Sequence, residues 1–239
     1  MAPSLDHTGQ GQLLQQLRFK HPIKRGHMID EFTTPKEASV LAGGLSDPGK
    51  MPGKGWSISA HRCVCGSRLR EVPGSVCSTC YAHKGRYSFE NVQNAQERRL
   101  LRFDRHGSTW VDLMTLALQN ERWFRWLDSG DLQTDTMLER ILDVCERTPE
   151  TRHWLPTREY KLVERVLRRR SVPANLQIRL SAHMIDGPAP SKLAERYGIG
   201  TSQVLTDNWD CPAKDQGNSC QECRRCWDPG VLNVSYPLH

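Results

Sequence analysis

The chain has 239 residues, with 33 Lys and Arg against 27 Asp and Glu for a net charge of +6, and it contains nine cysteines. That length supports one large domain with a buried core, and the mild basicity suits an anionic ligand without demanding one. Met1 to Lys24 is polar and lacks the apolar stretch of a secretory signal, and no run reaches the roughly 18 apolar residues of a membrane span, so the expected setting is a reducing cytoplasm with free thiols.

Residues 1–38 read as a polar N-terminal arm, with a Gln-rich patch from Gln10 to Gln16 and a basic one from Lys20 to Arg25, and the main domain is expected to start near Ser39. Gly43, Gly44, Pro48, Gly49, Pro52, Gly53 and Gly55 punctuate a loop leading to a short strand, Trp56 to Ser59. Cys63, Cys65, Cys77 and Cys80 follow within eighteen residues. A C-x-C beside a C-x2-C is rarely built by packing alone. Such pairs supply thiolates to zinc or to iron-sulfur clusters, which defines the element class before the metal.

Phe89 to Arg105 has helical spacing, with its arginines outside the apolar positions and read as a solvated face, and Ser108 is placed to cap a second helix carrying Trp110, Leu113, Met114 and Ala117. An alternation then sets in. Trp123 to Leu127 is a strand, Thr136 to Arg147 a helix with Cys145 on its core stripe, His153 to Leu155 a strand and Tyr160 to Arg170 a helix. Arg168, Arg169 and Arg170 complement that helix's C-terminus. Leu176 to Ser181 alternates apolar and polar residues as a strand with one polar face; Lys192 to Tyr197 is a short helix, and Ser202 to Thr206 and Val231 to Tyr236 are the last strands.

Six strands separated mostly by helices predict an α/β fold with a parallel sheet, either open and doubly wound or a partial barrel. Polar residues gather after the strands: Ser129, Gly130 and Asp131; Thr157, Arg158 and Glu159; Ser181 and His183; Thr206 and Asp207. Parallel α/β folds place their ligand sites at these C-terminal strand ends. Residues 207–239 form a cysteine-rich segment in which Cys211, Cys220, Cys223 and Cys226 end in two successive C-x2-C steps, as ferredoxins do. An auxiliary iron-sulfur cluster is the favoured reading there over zinc.

Three motifs carry a resemblance: Trp56-Ser57-Ile58-Ser59-Ala60 followed by Cys63 and Gly66; Cys77-x-x-Cys80-Tyr81-Ala82 with Lys84, Gly85 and Tyr87; and Arg125-Trp126-Leu127-Asp128-Ser129-Gly130-Asp131 with Trp154-Leu155-Pro156-Thr157-Arg158. Together, over about Ser39 to Tyr236, they resemble an uncharacterised bacteriophage family of cysteine-rich proteins that is in turn similar to radical S-adenosylmethionine (SAM) enzymes. The resemblance implies a partial (β/α)6 barrel over residues 39–206 whose first loop holds a four-iron cluster through Cys77, Cys80 and either Cys63 or Cys65, with Cys63 favoured by register. It further implies that Ser129, Gly130 and Asp131 bind the SAM amino group, and that Arg158, Arg179 and Ser181 hold its carboxylate or ribose. Spacing departs from the usual C-x3-C-x2-C, and Asp131 stands in place of a Glu.

Two functions follow. The first is a radical SAM-like enzyme that modifies an anionic substrate, nucleotide or nucleic acid being the leading class, at a positive mouth formed by Arg158, Arg179, His183, Arg224 and Arg225. It would draw on an electron donor and work without a membrane, in the host cytoplasm if phage-encoded. The alternative is a non-catalytic zinc protein that binds nucleic acid through its basic helices.

Overall fold

The computed structural model describes residues 33–238. Among these residues the strands are β1 (Lys54–Trp56), β2 (Trp123–Trp126), β3 (Arg152–Thr157), β4 (Leu176–Ser181), β5 (Gly200–Leu205) and β6 (Asn233–Pro237). The helices are α1 (Pro35–Leu41), α2 (Cys65–Arg70), α3 (Glu90–His106), α4 (Thr109–Leu118), α5 (Asp135–Arg147), α6 (Tyr160–Leu167) and α7 (Ser191–Tyr197). The expected arm at 1–38 lies mostly outside the described residues. Its last part is helical because Thr34 and Glu37 form a capping box, the Thr34 hydroxyl accepting from the Glu37 N–H and the Glu37 carboxylate from the Thr34 N–H. Through that cap α1 crosses the expected boundary at Ser39, burying Ala38 and Ala42.

The six strands form one sheet in the order β1-β2-β3-β4-β5-β6, every neighbouring pair parallel, and β1 does not pair with β6. A doubly wound sheet reverses its strand order at a switch point; this one has no reversal. β1 begins two residues before its expected start. Beyond Trp56 the chain stays extended along β2, with the Leu127 N–H donating to the Trp56 carbonyl at 2.7 Å and the Ile58 N–H to the Ser129 carbonyl at 3.3 Å.

Lateral register divides the side chains between two faces. On one, Trp56 and Trp126 stand in a row, as do Phe124, His153 and Leu176. Trp56 meets Trp110 of α4 at 5.4 Å between ring centroids, and Phe103 of α3 meets Trp110 at 5.1 Å, so aromatic edges join these helices to the first two strands. Cys145 lies buried on α5, as its helical position predicts.

The other face carries Gly55, Arg125, Trp154 and Gln177 in one row and Pro156, Arg179 and Gly200 in the next. The polar face expected on β4 is the one that carries Gln177, Arg179 and Ser181, and it is covered, since all six residues of the strand are buried. The C-terminal segment lies across it. Trp227 donates its indole N–H to the Phe124 carbonyl at 2.9 Å and meets the rings of Trp154 and Trp123 at 5.2 and 5.7 Å. Gly200 makes room for this covering layer, since a Cβ there would stand 2.6 Å from a guanidinium nitrogen of Arg179.

Two further expectations are corrected. Arg99 on α3 is not solvated but buried, donating to the Gly44 carbonyl at 2.8 Å and to Ser57, because α3 lies directly over the loop leading to β1. Ser108 precedes α4 in a helical conformation and makes no side-chain cap. The basic run after α6 does meet that helix's C-terminus, Arg169 donating to the Arg165 carbonyl at 3.1 Å, and it also faces acidic residues of α5, with Arg169 at 2.8 Å from Glu139 and Arg170 at 2.9 Å from Asp143. These exposed pairs contribute little stability each, but they account for the local charge. No helix among the described residues is long and apolar enough to cross a membrane.

His153 is fully buried on β3, its Nε2 2.9 Å from the Thr148 hydroxyl, which itself donates to the Val144 carbonyl. The imidazole is therefore the donor in that contact, and burial pushes its pKa down to about 3. The unfolded chain takes up a proton below the ordinary histidine value of about 6.5, whereas the folded ring refuses it until about pH 3. Stability should accordingly fall with pH across that window, by up to about 1.4 kcal/mol per unit from this group. Urea midpoints measured from pH 7 to pH 4 should fall less steeply in His153→Gln than in the parent chain.

Candidate functional site

The C-terminal ends of β1 to β4 meet beneath the first cysteine stretch. That stretch is a series of short turns: Ala60–Arg62, then α2, then Val76–Thr79 and Tyr81–His83. It reaches across to the end of β4, where the Val76 N–H donates to the His183 carbonyl and the Ile185 N–H to the Gly74 carbonyl, both at 2.9 Å. Tyr81 donates to the Asp128 carbonyl at 2.5 Å and Tyr87 to the Asp128 carboxylate at 2.9 Å, closing the stretch over the β2 end as well.

Gly66 shows how the thiols are arranged. A Cβ on it would stand 2.9 Å from the Cys63 Cβ, with the Cys63 sulfur at 3.4 Å and the Cys77 sulfur at 3.6 Å, so glycine leaves room for the Cys63 side chain and both sulfurs lie close to Gly66. Burial raises the Cys63 thiol pKa, and the nearby Asp131, Cys80 and Cys77 raise it further. Cys77 is also raised by burial, with Arg158 pulling it back down and Cys80 adding to the rise. Cys63, Cys77 and Cys80 thus lie in one another's field. Cys65 is set differently: its N–H donates to Glu159 at 2.6 Å, its sulfur is 3.6 Å from the His183 Nε2, and burial together with Glu159 lifts its thiol to about 11.

The Ser129–Asp131 turn lies at the end of β2. Asp131 is buried and its carboxylate accepts from the Leu132 N–H at 2.8 Å, the Thr157 hydroxyl at 2.6 Å and the Arg158 N–H at 2.9 Å. It ties the second strand end to the third. Burial raises its pKa, although those three donors oppose the shift. Two atoms of the same turn, the Ser129 Oγ and the Asp128 Oδ1, are buried without a protein partner. Arg158 donates to the Ala182 carbonyl at 3.2 Å, and His183 stacks on Tyr160 at 4.3 Å. Ser181 pairs instead with Ser202 at 2.9 Å.

Arg179 points elsewhere. Its guanidinium donates to the carbonyls of Cys226, Thr201, Val231, Arg225 and Asp228, at 2.7 to 3.3 Å, which occupies all five of its N–H groups. It holds the C-terminal segment and has no donor left for a ligand. Arg225 pairs with Asp210 at 3.0 Å, and Arg224 lies over the Trp123 ring at 5.3 Å. The five residues expected to form a single positive mouth therefore divide, with Arg158 and His183 at the first cysteine group and the other three at the second. Thr206, also expected at the strand ends, donates to Asp186 through both its N–H and its hydroxyl.

Cys211, Cys220, Cys223 and Cys226 line one small, partly open cavity, with Trp227 and Val234 among its other walls. The Cys226 sulfur is 3.2 Å from the Tyr236 hydroxyl, and burial lifts this thiol to about 11. All nine cysteines are free thiols. Among the described residues, no three His, Cys, Asp or Glu side chains converge closely enough for a single metal ion.

Between the two thiol groups stands Arg125, stacked at 4.3 Å over Trp154. Burial pulls its pKa down, but the fields of Tyr81, Asp128, Tyr87 and Tyr236 outweigh that and raise it. Glu159 is one of the strand-end residues the sequence marks, whereas the site roles of these tyrosines and of Arg125 are not read from it. Adjacency to Cys80 is a usable signal for Tyr81; nothing local marks Tyr236.

A family model described as Gene product 88 matches residues 33–229. No curated protein and no solved structure matches the chain. Replacing Asp131 by Ala should lower stability by about 1 to 3 kcal/mol, the range for removing a buried hydrogen-bonded carboxylate and leaving its donors unpaired. Urea denaturation would measure this, and an unchanged midpoint would show that the β2 and β3 ends are joined by other means.

Proposed function

The chain belongs to the Gene product 88 family, a phage-type family, and from that premise and the site's geometry we propose an iron-sulfur enzyme of the radical SAM type acting on an anionic substrate. The observation that carries the reading is that the Cys63 and Cys77 sulfurs both lie close to Gly66, with Cys80 in the same field, directly after the first strand of a sequentially ordered parallel sheet. Parallel crossovers are right-handed almost without exception, so six strands in unbroken sequence favour a sheet that curls toward a partial barrel, with its ligand site at the C-terminal strand ends.

The residues present suit the group. Three soft thiols, Cys77 and Cys80 from one turn and Cys63 from another, match the donor set of a four-iron cluster that leaves one iron open, and the setting of Cys65 against Glu159 and His183 supports Cys63 as the third ligand. When bound, cluster and SAM would supply one-electron cleavage of SAM to a 5'-deoxyadenosyl radical that abstracts hydrogen from a substrate. The protein's own contribution is to bind and orient. Ser129 Oγ and Asp128 Oδ1, buried and without protein partners, offer acceptors for an ammonium group, whereas Asp131 positions their turn through Thr157 and Arg158. Arg158 is the cation near the thiols and the group for a carboxylate. A tyrosine pair, Tyr81 and Tyr87, holds the cysteine stretch against the β2 end and limits water there.

The zinc and nucleic-acid alternative draws on basic helices, and the ion pairs of Arg165, Arg169 and Arg170 with α5 leave that run largely compensated. Metal analysis separates the two readings. Protein purified or reconstituted anaerobically should be brown and carry iron with labile sulfide, and Cys77→Ala should lose the iron of the first group. Two zinc ions and no iron per chain after the same treatment would end the proposal.

Cofactor binding tests the turn. SAM should bind the reconstituted protein, and Ser129→Ala should weaken binding about fivefold, the equivalent of one hydrogen bond of about 1 kcal/mol, with no loss of thermal stability, since that hydroxyl has no partner to lose. Equal affinities by calorimetry would place the ligand's amino group elsewhere.

A further inference from the structure

The second cysteine group lines a cavity of its own. Cys211, Cys220, Cys223 and Cys226 all reach it, and apart from Arg225 its remaining walls are apolar: Pro212, Ala213, Trp227 and Val234. Two successive C-x2-C steps supply the thiols as ferredoxins do.

Two independent features suit an anionic cluster. Cys226 and Cys220 both lie in the field of Arg125, and Cys226 also in that of Arg179, so positive charge is already buried beside the cavity. The Tyr236 hydroxyl stands 3.2 Å from the Cys226 sulfur. In addition, backbone and guanidinium contacts tie the segment to the rest of the chain. The Cys220 N–H donates to the Lys50 carbonyl at 2.8 Å, the Cys211 N–H to the Ser235 carbonyl at 3.0 Å, and Arg179 holds four carbonyls of the loop, those of Arg225, Cys226, Asp228 and Val231.

We propose that the cavity ringed by Cys211, Cys220, Cys223 and Cys226 holds a second iron-sulfur cluster, fully ligated by protein thiolates, with the Tyr236 hydroxyl donating a hydrogen bond to the Cys226 sulfur. With four protein ligands no iron is left open, so this centre differs in kind from the first: it exchanges electrons and binds no substrate. Because Arg179 and the backbone contacts preform the loop, the cluster fills an existing site rather than folding the segment. The inference stands apart from the reading of the first group.

The test removes the first group. A full-length chain with Cys63, Cys65, Cys77 and Cys80 all changed to Ala, reconstituted anaerobically with iron and sulfide, should keep about four iron and four sulfide per chain, the content of one cubane. Adding Cys220→Ser and Cys223→Ser should take iron below a tenth of that while the far-UV circular dichroism stays the same. Tyr236→Phe in the four-Ala background should keep the iron but shift the dithionite-titrated midpoint to a more negative potential, since a hydrogen bond to a cluster sulfur favours the reduced state. Zinc without sulfide in the four-Ala chain, or iron that survives the two added serines, would overturn the cluster; an unmoved midpoint would overturn the role of Tyr236. Should the variants fail to fold, alkylation of the unmodified chain decides: the four thiols must be protected after reconstitution and labelled after chelation, and equal labelling in both states would overturn the proposal.

Discussion

A guanidinium can be buried only if its donors are met, and Arg179 meets that condition entirely with backbone carbonyls. Four of the five belong to the segment from Arg225 to Val231 and the fifth to Thr201 on β5, so one charged side chain from the middle of β4 determines where the C-terminal cysteines lie. Removing it would leave five carbonyls facing an apolar interior. Gly200 is tied to the same requirement, since any side chain there would displace the guanidinium. The indole N–H of Trp227 then fastens the same segment to β2, and the inner face of the sheet becomes a packed layer with the second thiol group embedded in it.

The first thiol group depends on a different tie. Asp131 uses both carboxylate oxygens to hold the β2 and β3 ends in register, and the cysteine stretch is then hung from those ends by Tyr81, Tyr87 and the Glu159 contact to the Cys65 N–H. Ligand-type side chains are thereby placed on turns whose backbone is fixed from several strands at once. Arg125, between the two groups, feels tyrosines from both, so a change of charge at either would be sensed by the same cation.

Much of this was legible in the chain. Period 3.6 in Met137, Leu138, Ile141 and Leu142 and period 2 in Leu176, Ile178 and Leu180 marked α5 and β4 because packing on one face leaves a local trace. Cysteine spacing likewise revealed both thiol groups. What alternation cannot disclose is what covers a polar face: Gln177, Arg179 and Ser181 read equally well as facing water or facing a tail some 45 residues later. Arg99 misled for the same reason, since the loop that buries it lies 55 residues away. Tyr236, adjacent to nothing reactive in sequence, reaches Cys226 only once β6 has paired with β5.

The unbroken strand order bears on how the chain reaches this state. Each ladder joins strands that follow one another, so the sheet can grow from one end by closing a single β-α unit at a time. The C-terminal segment is the exception. Its anchor on Phe124 spans 103 residues and its contact with Lys50 spans still more, closures that only an assembled sheet can reward. Until that last docking, Trp123, Trp154 and the guanidinium of Arg179 would all face solvent, and an incomplete chain would present a sticky aromatic surface. Synthesis delivers this segment after the strands it covers, β2 to β4, which matches the order in which the contacts become available.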